Sequence, residues 1–130
     1  MTASTNTSIT GVGQIGISVI NLDEATRYYR DILGMRYLFT STGMAFFQLD
    51  NLRLMLGQAS VSQPRQPASL IYYKVDDIDA AFAELRGKGV HFVESPAAVY
   101  RADGKELWLA FFNDMDGNVL ALMSEQPLPV

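Results

Sequence analysis

The chain contains one sequence pattern twice. A shift of 56 residues lays the stretch from Ile15 to Ala25 over the stretch from Ile71 to Ala81. Apolar residues coincide at 15/71, 17/73, 19/75 and 22/78, and Asp and Ala recur at 23/79 and 25/81. A repeat of this length indicates two copies of one supersecondary unit. Each copy has to cover an apolar face of the other, so we expect the two copies to share a cleft.

Composition limits the class of protein. The 130 residues suit one domain over 1–130, and 48% hydrophobic with 18% charged residues is typical of a globular chain. The absence of cysteine excludes disulfides, a thiolate nucleophile and zinc–thiolate sites. The net charge of −4, without a stripe of Lys and Arg, argues against nucleic acid as a partner.

No segment of the sequence is typical of a membrane protein. The longest apolar run, from Leu107 to Phe112, is too short to span a bilayer. The first eight residues have neither the basic start nor the apolar core of a secretory signal. We therefore expect no membrane partner and a cytoplasmic location.

Hydrophobic periodicity predicts the order βαβββ in a first module over about 11–57. Alternation predicts a strand over Gly13–Ile20, and Asn21 followed by Glu24 resembles a helix N-cap with its capping box. The helix should end at Gly34. Three short strands follow, at about 36–40, 44–49 and 52–56. Ser, Gln and two prolines then predict a linker over 58–67.

The same order is predicted for a second module over about 68–126. A strand over Leu70–Val75 precedes a helix that Asp77 caps and that ends near Gly87 or Gly89. Strands are predicted near 91–94, 107–113 and 119–124. Asp116 and Gly117 are hairpin chemistry between the last two. The predicted class is α+β, with the helix of each module packed on one face of its sheet.

Three motifs resemble the vicinal oxygen chelate superfamily, which includes glyoxalase I, bleomycin resistance proteins and extradiol dioxygenases. Val19–Ala25 followed by Tyr28–Gly34 resembles its first-helix signature, and Val75–Ala80 with Gly87–Val90 resembles the second. Asn113–Asn118 resembles its Asp-Pro-Asp-Gly-Asn turn, with Met115 in place of proline. The resemblance implies a U-shaped, eight-stranded mixed sheet around a cleft, and a homodimer.

The resemblance also implies four metal-ligand positions, one on each of four strands. In this sequence they fall on Gln14, Met55, Leu70 and Ala121. One amide oxygen, one thioether and two aliphatic side chains do not make a site for Mg²⁺, Mn²⁺, Ni²⁺ or Zn²⁺. His91, the only histidine, has no partner ligands at the family spacing and is interpreted as an edge residue. We therefore predict no metal and no cofactor.

Alternation along the strands predicts which side chains line the cleft. If Ile15, Ile17 and Val19 face the helix, their neighbours face the cleft. The predicted ligand-binding residues are Gln14, Ser18, Phe46, Gln48, Arg53, Met55, Leu70, Tyr72, Lys74, Trp108, Phe112, Ala121 and Met123. This mixture of aromatic, Met and aliphatic residues with a few polar points is typical of a small-molecule pocket, although each residue alone is also compatible with a core or a dimer interface.

Three functional hypotheses follow. The first is a metal-independent binding protein, similar to bleomycin resistance proteins, that sequesters an antibiotic or another aromatic or cationic ligand without turnover. The alternative is a lyase or isomerase of the same superfamily that works without the four-ligand metal site. Its candidate acids and bases are Tyr72, Lys74 and Glu106, which form no pair at a convincing spacing. In the third, the cleft serves only dimer assembly.

Overall fold

The first module has the predicted order of elements. The protein is described here by a computed structural model that covers residues 8–62, 64–67 and 69–128, so residues 1–7 of the segment considered above as a signal lie outside it. The elements are β1 (Gln14–Val19), α1 (Leu22–Arg27), a π-helical segment (Tyr28–Ile32), β2 (Arg36–Ser41), β3 (Met44–Leu49) and β4 (Leu52–Gln58). The Asn21 side chain accepts the Glu24 backbone N–H at 3.0 Å, which confirms the predicted cap.

The second module contains one strand more than predicted. Its elements are β5 (Tyr72–Lys74), α2 (Ile78–Gly87), β6 (His91–Phe92), β7 (Ala97–Ala102), β8 (Lys105–Asn113) and β9 (Val119–Pro127). Asp77 caps α2 by accepting the Ala80 N–H at 3.0 Å, as predicted. Strand β7 was missed because all six of its residues are exposed, so it lacks the apolar alternation of a half-buried strand.

The strands form two mixed sheets, where we expected one sheet of eight strands. The first sheet has the order β1-β4-β3-β2, and the second has β5-β9-β8-β6, with β7 also paired to β8. Strands β6 and β7 lie against different parts of β8 and together replace the single edge strand of the prediction. The α+β class and the tandem plan are confirmed.

The two copies pair their strands in the same register. In the first module β1 runs parallel to β4 and Gly16 lies opposite Met55. In the second module β5 runs parallel to β9 and Tyr72 lies opposite Ala121. Gly16 and Tyr72 are also the positions that the 56-residue shift superimposes, so the repeat in the sequence is a repeat in the strand pairing.

The helix-facing sides of both sheets share one hydrophobic core. The alternate residues of β1 and β4 supply it from the first module, and α2, β8 and β9 supply it from the second. Its members include Ile17, Val19, Phe47, Leu54, Leu56, Leu85, Phe112, Leu120 and Leu122. The opposite sheet faces, which we call the outer faces, are not covered in this way: Phe39, Tyr72 and Val119 are 45–46% exposed.

The predicted turn between β8 and β9 also joins the two modules. Tyr29, from the π-helical segment, donates its hydroxyl to the Asp114 carboxylate at 2.8 Å. The Ile20 backbone N–H donates to Asp116 Oδ2 at 2.9 Å. Arg65, in the predicted linker, donates to Asn118 Oδ1 at 2.8 Å. These contacts fix the end of the first module against this turn.

No helix in the described residues has the length and hydrophobicity that crossing a membrane requires.

Candidate ligand-binding site

The predicted residues of the first module lie together on one outer face. Pairing of β1 with β4 and of β4 with β3 aligns the alternate positions of the three strands. The residues that share this face are Gln14, Ser18, Phe46, Gln48, Arg53 and Met55. The first-module part of the prediction therefore describes one continuous surface.

Arg53 lies on this face near the start of β4 and is exposed. Its Nε donates to Gln14 Oε1 at 3.1 Å. Its guanidinium carbon lies 5.4 Å from the centre of the Phe46 ring, within the range of a cation–π contact. The Phe46 ring stacks on Phe39, with 4.7 Å between centroids. The cation therefore lies over one ring of a stacked pair. We call Gln14, Phe39, Phe46 and Arg53 the guanidinium–aromatic cluster.

Phe39 is a member of this cluster that the sequence reasoning did not find. Tyr37 lies opposite Phe47, on the helix-facing side, and simple alternation places Phe39 on that side too. A register shift between Tyr37 and Phe39 turns Phe39 to the outer face instead. A bulge of this kind has no clear signature in these residues.

Met55 lies across β1 at a point where β1 has no side chain. The methyl carbon of Met55 is 3.5 Å from the place where a Cβ on Gly16 would lie. The thioether sulfur lies 3.4 Å from the corresponding point on Gly57. The two glycines leave room for Met55 to lie flat, so the floor of this face beside Arg53 is apolar and adaptable.

The outer face of the second sheet carries fewer polar groups. Tyr72 and Lys74 on β5 are aligned with Ala121 and Met123 on β9. The Tyr72 ring lies edge-on to Phe111, with 6.3 Å between centroids. Ala121 is fully buried at this position, whereas Leu70, just before β5, is 43% exposed.

Two predicted residues of β8 lie on the opposite side of the sheet from the one expected. Phe112 pairs with Leu120, is 1% exposed and packs against Phe92 in the core. Trp108 pairs with Ser124 and donates its indole N–H to Glu106 at 2.8 Å. The outer positions of β8 are Leu107, Leu109 and Phe111. The predicted register was wrong by one residue because six consecutive apolar residues carry no alternation.

The residues at the four metal-ligand positions do not fit a divalent cation. The Gln14 carbonyl oxygen already accepts from the Arg53 guanidinium, whose positive charge would repel a metal ion at the same oxygen. The other positions hold Met55, Leu70 and Ala121. Among these side chains only the thioether sulfur of Met55 can coordinate a metal, and it is a soft ligand. In the described ranges, no group of three or more His, Cys, Asp or Glu residues is placed to hold a metal.

The three candidate acids and bases do not form one constellation. Glu106 accepts hydrogen bonds from Arg101 and from Trp108, both at 2.8 Å, and these lower the pKa of its carboxyl group. It therefore stays ionised, with both oxygens engaged. It lies on the helix-facing side of β8, whereas Tyr72 and Lys74 lie on the outer face. Lys74 Nζ lies 3.5 Å from Asp50.

The comparisons with known proteins identify the family. A family model described as the glyoxalase/bleomycin resistance protein/dioxygenase superfamily matches residues 11–122. The chain belongs to this superfamily. It is 29% identical to a metallothiol transferase FosB of Staphylococcus haemolyticus, over 88% of this chain and 83% of that protein.

Solved structures of other proteins share the fold. A glyoxalase/bleomycin resistance protein/dioxygenase from Nocardioides superposes with a TM-score of 0.73 at 18% identity, covering 94% of this chain and 87% of that one. TnmS3, an antibiotic binding protein from Streptomyces sp. CB03234, superposes with a TM-score of 0.69 at 25% identity, covering 93% and 98%. Because superfamily members with different activities share one fold, membership alone does not select among the hypotheses.

Proposed function

We propose that this protein binds a small aromatic molecule, such as an antibiotic, without a metal ion, on the outer face of its first sheet. The guanidinium–aromatic cluster is the observation that carries the proposal. An exposed arginine held over stacked rings supplies a hydrogen-bonding fork beside a flat apolar surface. A flat ligand with an acceptor group at its edge matches both parts of this surface.

The donor chemistry supports a metal-free mode of binding. Where metal-using relatives present ligands for a cation, this chain presents a guanidinium already bonded to Gln14. A transferase of the metallothiol type requires the metal that its name states, and the four positions here do not provide for one. The similarity to TnmS3, an antibiotic binding protein, supports a function in binding without turnover.

We also propose that the protein acts as a cytoplasmic homodimer. The exposed Tyr72 and Val119 leave apolar surface on the outer face of the second sheet, which a second copy would cover. Lys74 and Arg53 are cations on the outer faces, so we expect a neutral or anionic ring to bind there more tightly than a cationic one. Cationic ligands, which the first hypothesis includes, are therefore the comparison group.

The test is a thermal-shift screen of anionic, neutral and cationic aromatic antibiotics. Titration then measures the affinity of the selected compound, and chromatography of the recovered ligand shows whether it has been consumed. Arg53→Gln and Phe46→Ala should each weaken binding of the selected compound about tenfold or more, because a charge-assisted hydrogen bond or a stacked ring is lost. Arg86→Gln is the matched control, since Arg86 also lies over an aromatic ring, 5.8 Å from Phe82, but on α2.

EDTA should leave the affinity unchanged, and elemental analysis of the purified protein should find no near-stoichiometric Zn, Ni, Mn or Fe. Binding that needs an added metal, or a ligand consumed over time, would refute a metal-free binder. Consumption without a metal would instead support the lyase or isomerase.

A further inference from the structure

A concavity borders the outer face of the first sheet, because Gln48 and Arg36, which are aligned with Arg53 across neighbouring strands, line it. It has a volume of about 750 Å³ and lies where the end of the π-helical segment, the β3–β4 turn, β5 and α2 meet. We call it the module-boundary cavity. Both modules contribute to its wall, and its volume is in the range of pockets that hold drug-sized molecules. Arg53, Phe46 and Phe39 are not part of it.

The wall of this cavity is largely apolar. Ile15, Ile32, Leu33, Ile71 and Leu122 are among the lining residues. Tyr73 also lines the cavity, and within the described part of the chain its buried hydroxyl has no hydrogen-bond partner. Because this hydroxyl is buried, it adds no polar surface to the wall, and the wall offers a ligand mainly apolar contact.

The charged residues around the cavity leave one cation without a counter-charge. Lys74 lies 3.5 Å from Asp50, and Lys88 lies 3.7 Å from Glu84. These four residues line the cavity together with Arg36. Arg36 is exposed, and in the part of the chain that the structure describes it forms no ion pair. The cavity therefore carries an excess positive charge at Arg36.

We propose that the module-boundary cavity binds an amphipathic carboxylic acid, with the carboxylate at Arg36 and the apolar chain against the wall shared by the two modules. Arginine matches a carboxylate with two parallel hydrogen bonds, and the apolar wall favours an alkyl or arylalkyl body. Arg53, Phe46 and Phe39 do not line this cavity, so this proposal and the proposed function can each fail without the other.

Isothermal titration of the full chain with decanoate, below its micelle concentration, tests the proposal. Saturable binding at one site per chain is expected, with decanamide about tenfold weaker or worse because it lacks the charge. Arg36→Gln should weaken decanoate by a similar factor, and because Arg36 is exposed this variant should fold normally. Ala81→Trp, which narrows the cavity from α2, should weaken decanoate and decanamide together.

Arg53→Gln is the control that separates the two sites. It should leave decanoate binding unchanged while weakening the aromatic ligand, and Arg36→Gln should do the reverse. Absence of saturable decanoate binding, equal affinity in the wild type and Arg36→Gln, or loss of decanoate binding in Arg53→Gln would each overturn the proposal.

Discussion

Replacing Tyr29 with phenylalanine removes one hydroxyl group from a buried contact between the two modules. Tyr29 is fully buried, and its hydroxyl donates to Asp114 Oδ2 at 2.8 Å. Asp114 is 6% exposed, and it also accepts from the backbone N–H groups of Asp116 and Asn118 and from the Asn118 side chain. The carboxylate therefore depends on four donors, of which Tyr29 is the only one from the first module.

The expected loss follows from the kind of bond that is removed. A hydrogen bond to a charged group contributes about 1.5–3 kcal/mol. The phenylalanine ring keeps the packing of Tyr29 against Phe47, so the change adds little cavity cost. The three remaining donors still bond to the Asp114 carboxylate. We therefore expect Tyr29→Phe to lower the free energy of unfolding by about 2 kcal/mol, measured by urea denaturation with linear extrapolation.

The neighbouring tyrosine is a matched control. Tyr28 is half-buried, and its hydroxyl donates to the Asn113 carbonyl oxygen at 3.3 Å. This bond is longer and joins neutral groups, so Tyr28→Phe should cost about 1 kcal/mol or less. The reasoning is refuted if Tyr29→Phe unfolds at the wild-type urea concentration, or if Tyr28→Phe is the more damaging change.

Two further predictions concern pH and turn geometry. Burial, followed by the charge of Asp114, raises the pKa of Tyr28 to about 12. The unfolded chain loses this proton at a lower pH, near 10, so the free energy of unfolding should fall as pH rises from about 10 towards 12. A free energy of unfolding that stays constant over this range would contradict the raised pKa. Gly117→Ala should destabilise by about 1–2 kcal/mol because φ is +81° in the β8–β9 turn. Gly87→Ala, at the end of α2 where a Cβ meets nothing within 4 Å, should instead stabilise the fold by about 0.5–1 kcal/mol. Calorimetry of both variants measures the difference, and equal melting temperatures would contradict the positive φ at Gly117.

Local signals in the sequence predicted most of the elements. The caps at Asn21 and Asp77 depend only on residues within one turn of a helix, and both are present. The strands β1 and β4 alternate because one face is buried and the other is not, so their register was readable from the sequence. Interactions of this range are encoded by nearby residues and need no knowledge of the rest of the fold.

The errors came from strands in which both faces look alike. Strand β8 contains six apolar residues in a row, so burial on either face was consistent with the pattern, and Trp108 and Phe112 were placed on the wrong side. Strand β7 is exposed throughout and looks like a loop. The repeat predicted that each copy covers an apolar face of the other, but it did not predict that these are the helix-facing sides, because both faces of each sheet carry apolar residues.

The two copies of the repeat keep complementary volumes at corresponding positions but have exchanged which strand carries the large side chain. In the first copy the small Gly16 on β1 lies beside the large Met55 on β4. In the second copy the large Tyr72 on β5 lies beside the small Ala121 on β9. Each pair combines one small and one large side chain, which lets the neighbouring strands pack closely. Packing does not constrain which hydrogen-bonding groups the side chains carry.

Polar recognition is therefore concentrated in one copy. Beside the Gly16–Met55 pair, the first module holds Gln14 hydrogen-bonded to Arg53. At the position equivalent to Gln14, the second module holds the aliphatic Leu70. A ligand bound on the outer faces would take its hydrogen bonds from the first module and mainly apolar contact from the second. Exchanging Leu70 for a polar residue should for this reason change affinity far less than the loss of Arg53.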